Sequence, residues 1–204
     1  MNAMKTIISM VLLAILFAGA PIAPGYEVGD EATDFKLKNY DGRMVSMADF
    51  KDAKGYIVIF NCNTCPYSKA YDDRIIALNK KYASKGFPVL TINPNDPGVS
   101  PGDSFEEMKN LAKRKKYDFP YLVDETQEVA RAYGATNTPH VFVLNRENNS
   151  LKVEYIGAID DNSKNASAVS QRYVEDAVDA LIEKKNVSTT KTKAIGCTIK
   201  WKNS

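Results

Sequence analysis

The sequence is poor in metal ligands, with one histidine and three cysteines among 204 residues. A zinc or copper site centred on Cys62 and Cys65 would have to draw on Cys197, His140 and carboxylates, because structural zinc takes about four ligands. Net charge is also scarce: 27 Lys and Arg stand against 25 Asp and Glu, a formal +2. Without an excess of positive charge the chain lacks the electrostatic footprint of a nucleic-acid binder. Its short basic run, Lys113-Arg114-Lys115-Lys116, reads as the solvated face of a helix. Internal repeats are absent. Long apolar runs are nearly so, and the one that stands out, Ile7 to Ala18, is shorter than the roughly 20 residues of a membrane span.

That run has another use. Lys5 precedes it and Ala18-Gly19-Ala20 follows, the order of a secretory signal. Residues 1–25 therefore read as a signal peptide or N-terminal anchor, and a membrane is met only through this segment if it stays uncleaved. Pro21 obstructs cleavage after Ala20, and Ala23-Pro24-Gly25 offers an alternative site. No cysteine lies near the junction to carry a lipid. The expected location is the periplasm or an equivalent exported compartment. There a dithiol stays reduced only if a partner reduces it.

What the sequence does contain is an apolar, β-branched run, Tyr56-Ile57-Val58-Ile59-Phe60, that leads into Asn61-Cys62-Asn63-Thr64-Cys65-Pro66. The run predicts a buried strand. Pro66 suits the first turn of a helix, where its missing N–H costs nothing. A helix N-terminus carries partial positive charge and favours thiolate, the nucleophilic form of cysteine. The pattern predicts a redox dithiol, with Cys62 exposed at the helix start and Cys65 sheltered one turn in. A metal site and an inert structural disulfide are the competing readings, and the strand-to-helix setting weighs against both.

The rest of the chain supplies an α/β frame. Asp34 to Lys38 and Arg43 to Ser46 flank the turn Tyr40-Asp41-Gly42, a β-hairpin pattern. A helix from about Cys65 to Gly86 and a strand from Phe87 to Asn93 give β-α-β across the motif. Asn93 to Gly98 is loop. Ser104 with Glu107 opens a helix as a capping box. Strands follow at Pro120 to Val123, Val141 to Leu144 and Leu151 to Ile159, with helices over Thr126 to Tyr133 and Val169 to Lys185. The order predicts a central mixed sheet with helices on both faces. Ile195, Cys197, Ile199 and Trp201 alternate with polar residues and predict a short ordered strand in the tail.

Four stretches carry a family resemblance: Phe60 to Tyr67, Ile92 to Asp96, Asp124 to Gln127, and Gly134 to Phe142 with Thr138-Pro139 just before a strand. On these the chain resembles thioredoxin-fold proteins, and more narrowly the exported redoxins related to the alkyl hydroperoxide reductase and thiol-specific antioxidant group. The resemblance spans a domain of 26–185, leaving 186–204 as a tail that carries Cys197. It implies a cis Thr138-Pro139 bond beside the dithiol, with the Thr138 backbone available to an extended substrate segment. It also implies Cys62 and Cys65 as catalytic thiols, with Asn61, Asn63, Thr64, Thr138 and Pro139 shaping the docking surface. Cys197 and His140 are secondary candidates, the first as a third thiol and the second as a group that shifts thiol pKa.

Three departures narrow the expected activity. The Pro-x-x-x-Thr/Ser-x-x-Cys spacing of peroxiredoxins fits neither cysteine, since the positions counted back from them hold Ile59 and Gly55, or Cys62 and Val58. Tyr56 stands where thioredoxins keep a buried Asp. The two-residue spacer is one shorter than that of copper-delivery relatives. The expectation is a thiol-disulfide oxidoreductase acting on exported proteins, with protein thiol or disulfide substrates, a redox-recycling partner and no bound cofactor. An exported Cu(I) or Zn(II) metallochaperone, or a thiol peroxidase that uses Cys197, are the alternatives.

Overall fold

The strand that delivers the cysteines is buried along its whole length, and the rest of the fold is arranged to cover it. In the computed structural model, which describes residues 25–148 and 150–202, this strand is β3 (Gly55–Phe60). The leader expected over 1–25 lies, apart from Gly25, outside the described residues. Before β3 come β1 (Lys36–Asn39) and β2 (Met44–Ser46), paired antiparallel with Leu37 opposite Val45, which is the hairpin read from the sequence. After β3 come α1 (Pro66–Tyr82), β4 (Val89–Asn93), α2 (Phe105–Lys115), β5 (Tyr121–Val123) and α3 (Glu128–Tyr133). The chain continues through β6 (Asn137–Thr138), β7 (His140–Glu147), β8 (Ser150–Gly157), α4 (Tyr173–Ile182) and β9 (Cys197–Thr198).

Seven strands form one mixed sheet in the order β2-β1-β5-β4-β3-β7-β8. β3 runs parallel to β4 and antiparallel to β7, so it sits near the middle and is paired on both edges. Successive side chains of a strand point to opposite faces. Ile57 and Ile59 accordingly join a core with Tyr71, Ile75 and Leu78 of α1, Met108 of α2 and Val174 of α4. Tyr56, Val58 and Phe60 join the opposite core with Ala130 and Tyr133 of α3 and with Ile199 from the tail. At about 1.5–3 kcal/mol for each fully buried large apolar side chain, the two faces of β3 anchor the loop that follows it.

Local chemistry sets the element ends. Gly86, at φ 94°, closes the turn after α1, as a left-handed glycine does at low cost. α3 starts at Glu128, later than the pattern suggests, because Gln127 is left-handed at φ 62°. Its side chain is committed elsewhere: Nε2 donates to Pro94 O and Lys200 O, and Oε1 accepts from Lys202 N. α4 likewise starts at Tyr173 rather than Val169, since Asp161 accepts from Ser170 and donates its N–H to Gln171 O. Among the described residues, no helix is long and apolar enough to cross a membrane.

Candidate functional site

β3 ends at Phe60, and Asn61 continues the ladder by donating its N–H to Ile92 O at 2.8 Å. The chain then turns through Cys62, Asn63 and Thr64 to Cys65, which is the N-cap of α1, with Pro66 in its first turn. Both cysteines are buried, Cys62 at 2% and Cys65 at 3% exposure. This corrects the expectation of an exposed Cys62. The cover comes from far along the chain: Thr138 Oγ1 lies 3.1 Å from Cys62 Sγ, and Cys197 N donates to Cys65 Sγ at 3.3 Å. In its protonated form the Cys65 thiol donates to Thr138 O at 3.2 Å. The Thr138-Pro139 bond is cis.

The two thiols are pushed in opposite directions. Cys65 is drawn down to about 4, chiefly by a hydrogen bond from the Cys62 thiol and further by the Cys197 thiol and N–H. Cys62 is pushed up, first by giving that hydrogen bond to Cys65, then by burial and by the nearby charge of Asp103. Cys65 sits at the helix N-cap, where the partial positive charge of the helix end favours thiolate. Two thiols that share a proton titrate as a pair.

Asp103 was not visible in the sequence and proves to be the anchor of the motif loop. Its carboxylate is 1% exposed and accepts from Asn63 N at 2.6 Å, Thr64 N at 3.2 Å and Thr64 Oγ1 at 2.8 Å. Ser100 Oγ at 2.7 Å and Asn95 Nδ2 at 2.8 Å complete its shell. The side chain of Asn63 is held from both ends, donating to Gly102 O and accepting from Tyr121 OH. The two insert residues thus face inward toward the 95–103 loop as well as outward. The only signal in the sequence was the dense turn chemistry of Asn93 to Ser104, which says loop but not what the loop holds.

The tail folds back over the site. β9 pairs antiparallel with β6, placing Cys197 opposite Thr138 and Thr198 opposite Asn137. Asn137 Nδ2 donates to Gly196 O at 3.0 Å, and Ile199 N donates to Thr136 O. Beyond β9, Lys200 N donates to Asn95 Oδ1, and Lys200 O accepts from Asp96 N. The Trp201 ring lies 4.5 Å under the Arg131 guanidinium. The Thr138 backbone, expected to be open to a substrate, is therefore occupied by the chain's own strand. Cys197 itself stays half-buried, pushed up to about 11 by burial and by Cys65.

The remaining candidates scatter. Asn61 is 1% exposed, with its Oδ1 unpartnered, so it lies beneath the docking surface it was expected to shape. His140 is buried, with Nδ1 accepting from Thr136 N and its ring 4.8 Å from Phe142. Its pKa is lowered to about 4 by burial and by Lys191, so it is a neutral packed imidazole rather than a charged neighbour of the thiols. Tyr56, at the position of the thioredoxin Asp, has its hydroxyl bound to Met47 O and Arg146. Among the described residues, no three His, Cys, Asp or Glu side chains are grouped so as to hold a metal ion.

A central mixed sheet with a Cys-x-x-Cys loop at a strand-to-helix junction, beside a cis-proline, defines a thioredoxin-like protein. Residues 28–171 match the family model described as AhpC/TSA family, and the chain belongs to that family. It is 25% identical over 124 residues to a thiol-disulfide oxidoreductase ResA of Bacillus thuringiensis, a match covering 59% of this chain and 65% of the relative, just under two thirds of the relative's length. An uncharacterized conserved protein of Geobacillus kaustophilus has a crystal structure that superposes with a TM-score of 0.80. It is 39% identical, over 87% of this chain and 94% of that one. The thioredoxin domain of a thiol-disulfide oxidoreductase from Bacteroides vulgatus shares the fold, at 19% identity and a TM-score of 0.52, over 65% of this chain and 91% of that one.

Proposed function

We propose that the protein is a thiol-disulfide oxidoreductase whose redox couple is Cys62 and Cys65, acting on disulfides or thiols of exported proteins. The observation that carries this reading is the placement of Cys65 at the N-cap of α1 with Cys62 three residues before it, both sulfurs buried against Thr138 of the cis Thr138-Pro139 linkage. The two thiols share one proton, and with it on Cys65 the Cys62 thiolate attacks a substrate disulfide. One half of the substrate leaves as a thiolate and takes up the Cys65 proton. Cys65 then displaces the second half from Cys62, closing the Cys62–Cys65 disulfide while the substrate departs reduced. With Tyr56 engaged elsewhere, the proton moves between the two sulfurs and needs no separate carboxylate. Thr138 and Pro139 flank the pair, and Asn63 and Thr64 set its loop. The export signal read in residues 5–20 supports substrates outside the cytoplasm, where a reducing partner must restore the dithiol.

A redox titration in glutathione buffers, with alkylation and mass mapping of each cysteine, tests the reading. A Cys62–Cys65 couple near about −270 mV would mark a reductant and one near about −120 mV a disulfide donor. A Cys65→Ser variant is expected to accumulate a mixed disulfide on Cys62. Failure of residues 62 and 65 to form a disulfide at any potential would overturn the assignment.

A further inference from the structure

Thr138 sits where an extended substrate segment would add to the sheet edge beside the dithiol, and that place is taken by residues 196–198. The fit is tight. A Cβ on Gly196 would fall 2.2 Å from Thr138 O and 2.9 Å from Pro139 N, so only glycine lets the strand seat against this linkage. The strand is also fixed at both ends, by Asn137 on Gly196 O and by Thr136 and Asn95 on Ile199 N and Lys200 N. Its seating brings Cys197 N within 3.3 Å of Cys65 Sγ, and places Cys197 directly opposite Thr138, whose carbonyl accepts from the Cys65 thiol. Three cysteines thereby converge on Thr138.

We propose that β9 is a built-in substrate strand and Cys197 a third redox thiol, which takes the disulfide over from Cys62 to give a Cys65–Cys197 bond. The inference rests on the dithiol reading above. In the step, the Cys197 thiolate attacks Cys65 Sγ of the Cys62–Cys65 disulfide. The Cys65–Cys197 bond forms as the Cys62–Cys65 bond breaks, and Cys62 leaves as a thiolate. The proton given up by Cys197 is matched by one taken up at Cys62, and the exchange involves no net oxidation. Oxidation of Cys65 also removes the thiolate that holds Cys197 protonated in the reduced form, so the third thiol becomes a better nucleophile when there is a disulfide to attack. The result is a transfer of the disulfide from a pair of buried cysteines to a pair of which one, Cys197, is half-buried, where the recycling partner can reach it.

The test equilibrates the full chain with oxidised and reduced glutathione, blocks free thiols and maps the disulfides by mass spectrometry. Cys62→Ser is expected to form an intramolecular Cys65–Cys197 bond; glutathione adducts or free thiols alone at 65 and 197 would overturn the inference. Gly196→Ala, which keeps all three thiols, is expected to lower the ratio of Cys65–Cys197 to Cys62–Cys65 bonds about tenfold by removing the high local concentration of Cys197. An unchanged ratio would equally overturn it. Cys197→Ser separates the two readings. If it still forms Cys62–Cys65 while no Cys65–Cys197 bond is found in the other chains, the inference alone fails. If it forms no disulfide at all, the dithiol reading fails and takes the inference with it.

Discussion

His140 shows how one residue can look functional in the sequence and act through burial. It follows Pro139 directly, next to the site in the chain, yet its ring is spent on Thr136 N and Phe142. Its pKa, about 4 against an ordinary 6.5, carries a stability consequence. Between those values the unfolded chain takes up a proton that the folded chain refuses, so stability falls as pH drops from about 6.5 to about 4. By pH 4 the loss is about 3 kcal/mol. His140→Gln lacks this term, so urea unfolding at pH 7 and pH 4 is expected to show the variant gaining on the wild type by about that amount. A difference that stays constant with pH would mean that the imidazole ionises freely in the fold. Cys65 and Cys62 illustrate the same limit of sequence reading. The helix N-terminus beside the cysteines was legible, but the Cys197 N–H that donates to Cys65 Sγ comes from 132 residues further on and was not.

At the scale of elements, the parts written in short-range pattern were read well and the parts built from long-range contacts were not. β3 was visible because five of its six residues are large and apolar, and α1 because Pro66 marks its start. The β1–β2 hairpin was visible because Asp41-Gly42 names its turn. The displaced starts of α3 and α4 come from Gln127 and Asp161, whose partners lie in other segments. The motif loop and the 95–103 loop are a further case. They are joined through one carboxylate with five donors, and those on Asn63 and Thr64 come from about 40 residues away. Hydrogen bonds to a charged acceptor contribute about 1.5–3 kcal/mol each, and leaving their buried donors unpaired costs more than replacing them in kind. Asp103→Ala is thus expected to destabilise the protein by about 3 kcal/mol, Asp103→Asn by less. Both remove the negative charge that helps keep Cys62 protonated. Thermal unfolding checks the first effect, and the pH dependence of Cys62 alkylation, expected to shift to lower pH in Asp103→Asn, checks the second. An alkylation profile identical to wild type would show that the loop bonds matter only for folding.

At the scale of the whole molecule, the sequence divides into a domain and a polar tail, whereas the described part of that tail, 186–202, is stitched to the domain along its length. Thr190 and Thr192 exchange backbone hydrogen bonds with Ile156, β9 pairs with β6, and Ile199 is buried in the core beneath α3. Most of these contacts are made by backbone atoms, which any sequence possesses, so composition could not announce them.

The separation of Cys65 from Cys197 along the chain carries a consequence in the entropy of the unfolded state. A disulfide between Cys62 and Cys65 closes a loop of four residues and restrains the unfolded chain by about 2 kcal/mol. One between Cys65 and Cys197 spans 132 residues. A loop of that size restrains the unfolded chain by about 5 kcal/mol. Moving the same bond from one pair to the other would tie the two ends of the fold together. Cys62→Ser, oxidised, is therefore expected to unfold at higher denaturant than Cys197→Ser, oxidised, each measured against its own reduced form. The redox state of a three-sulfur cluster would then be legible as the resistance of the entire chain to unfolding.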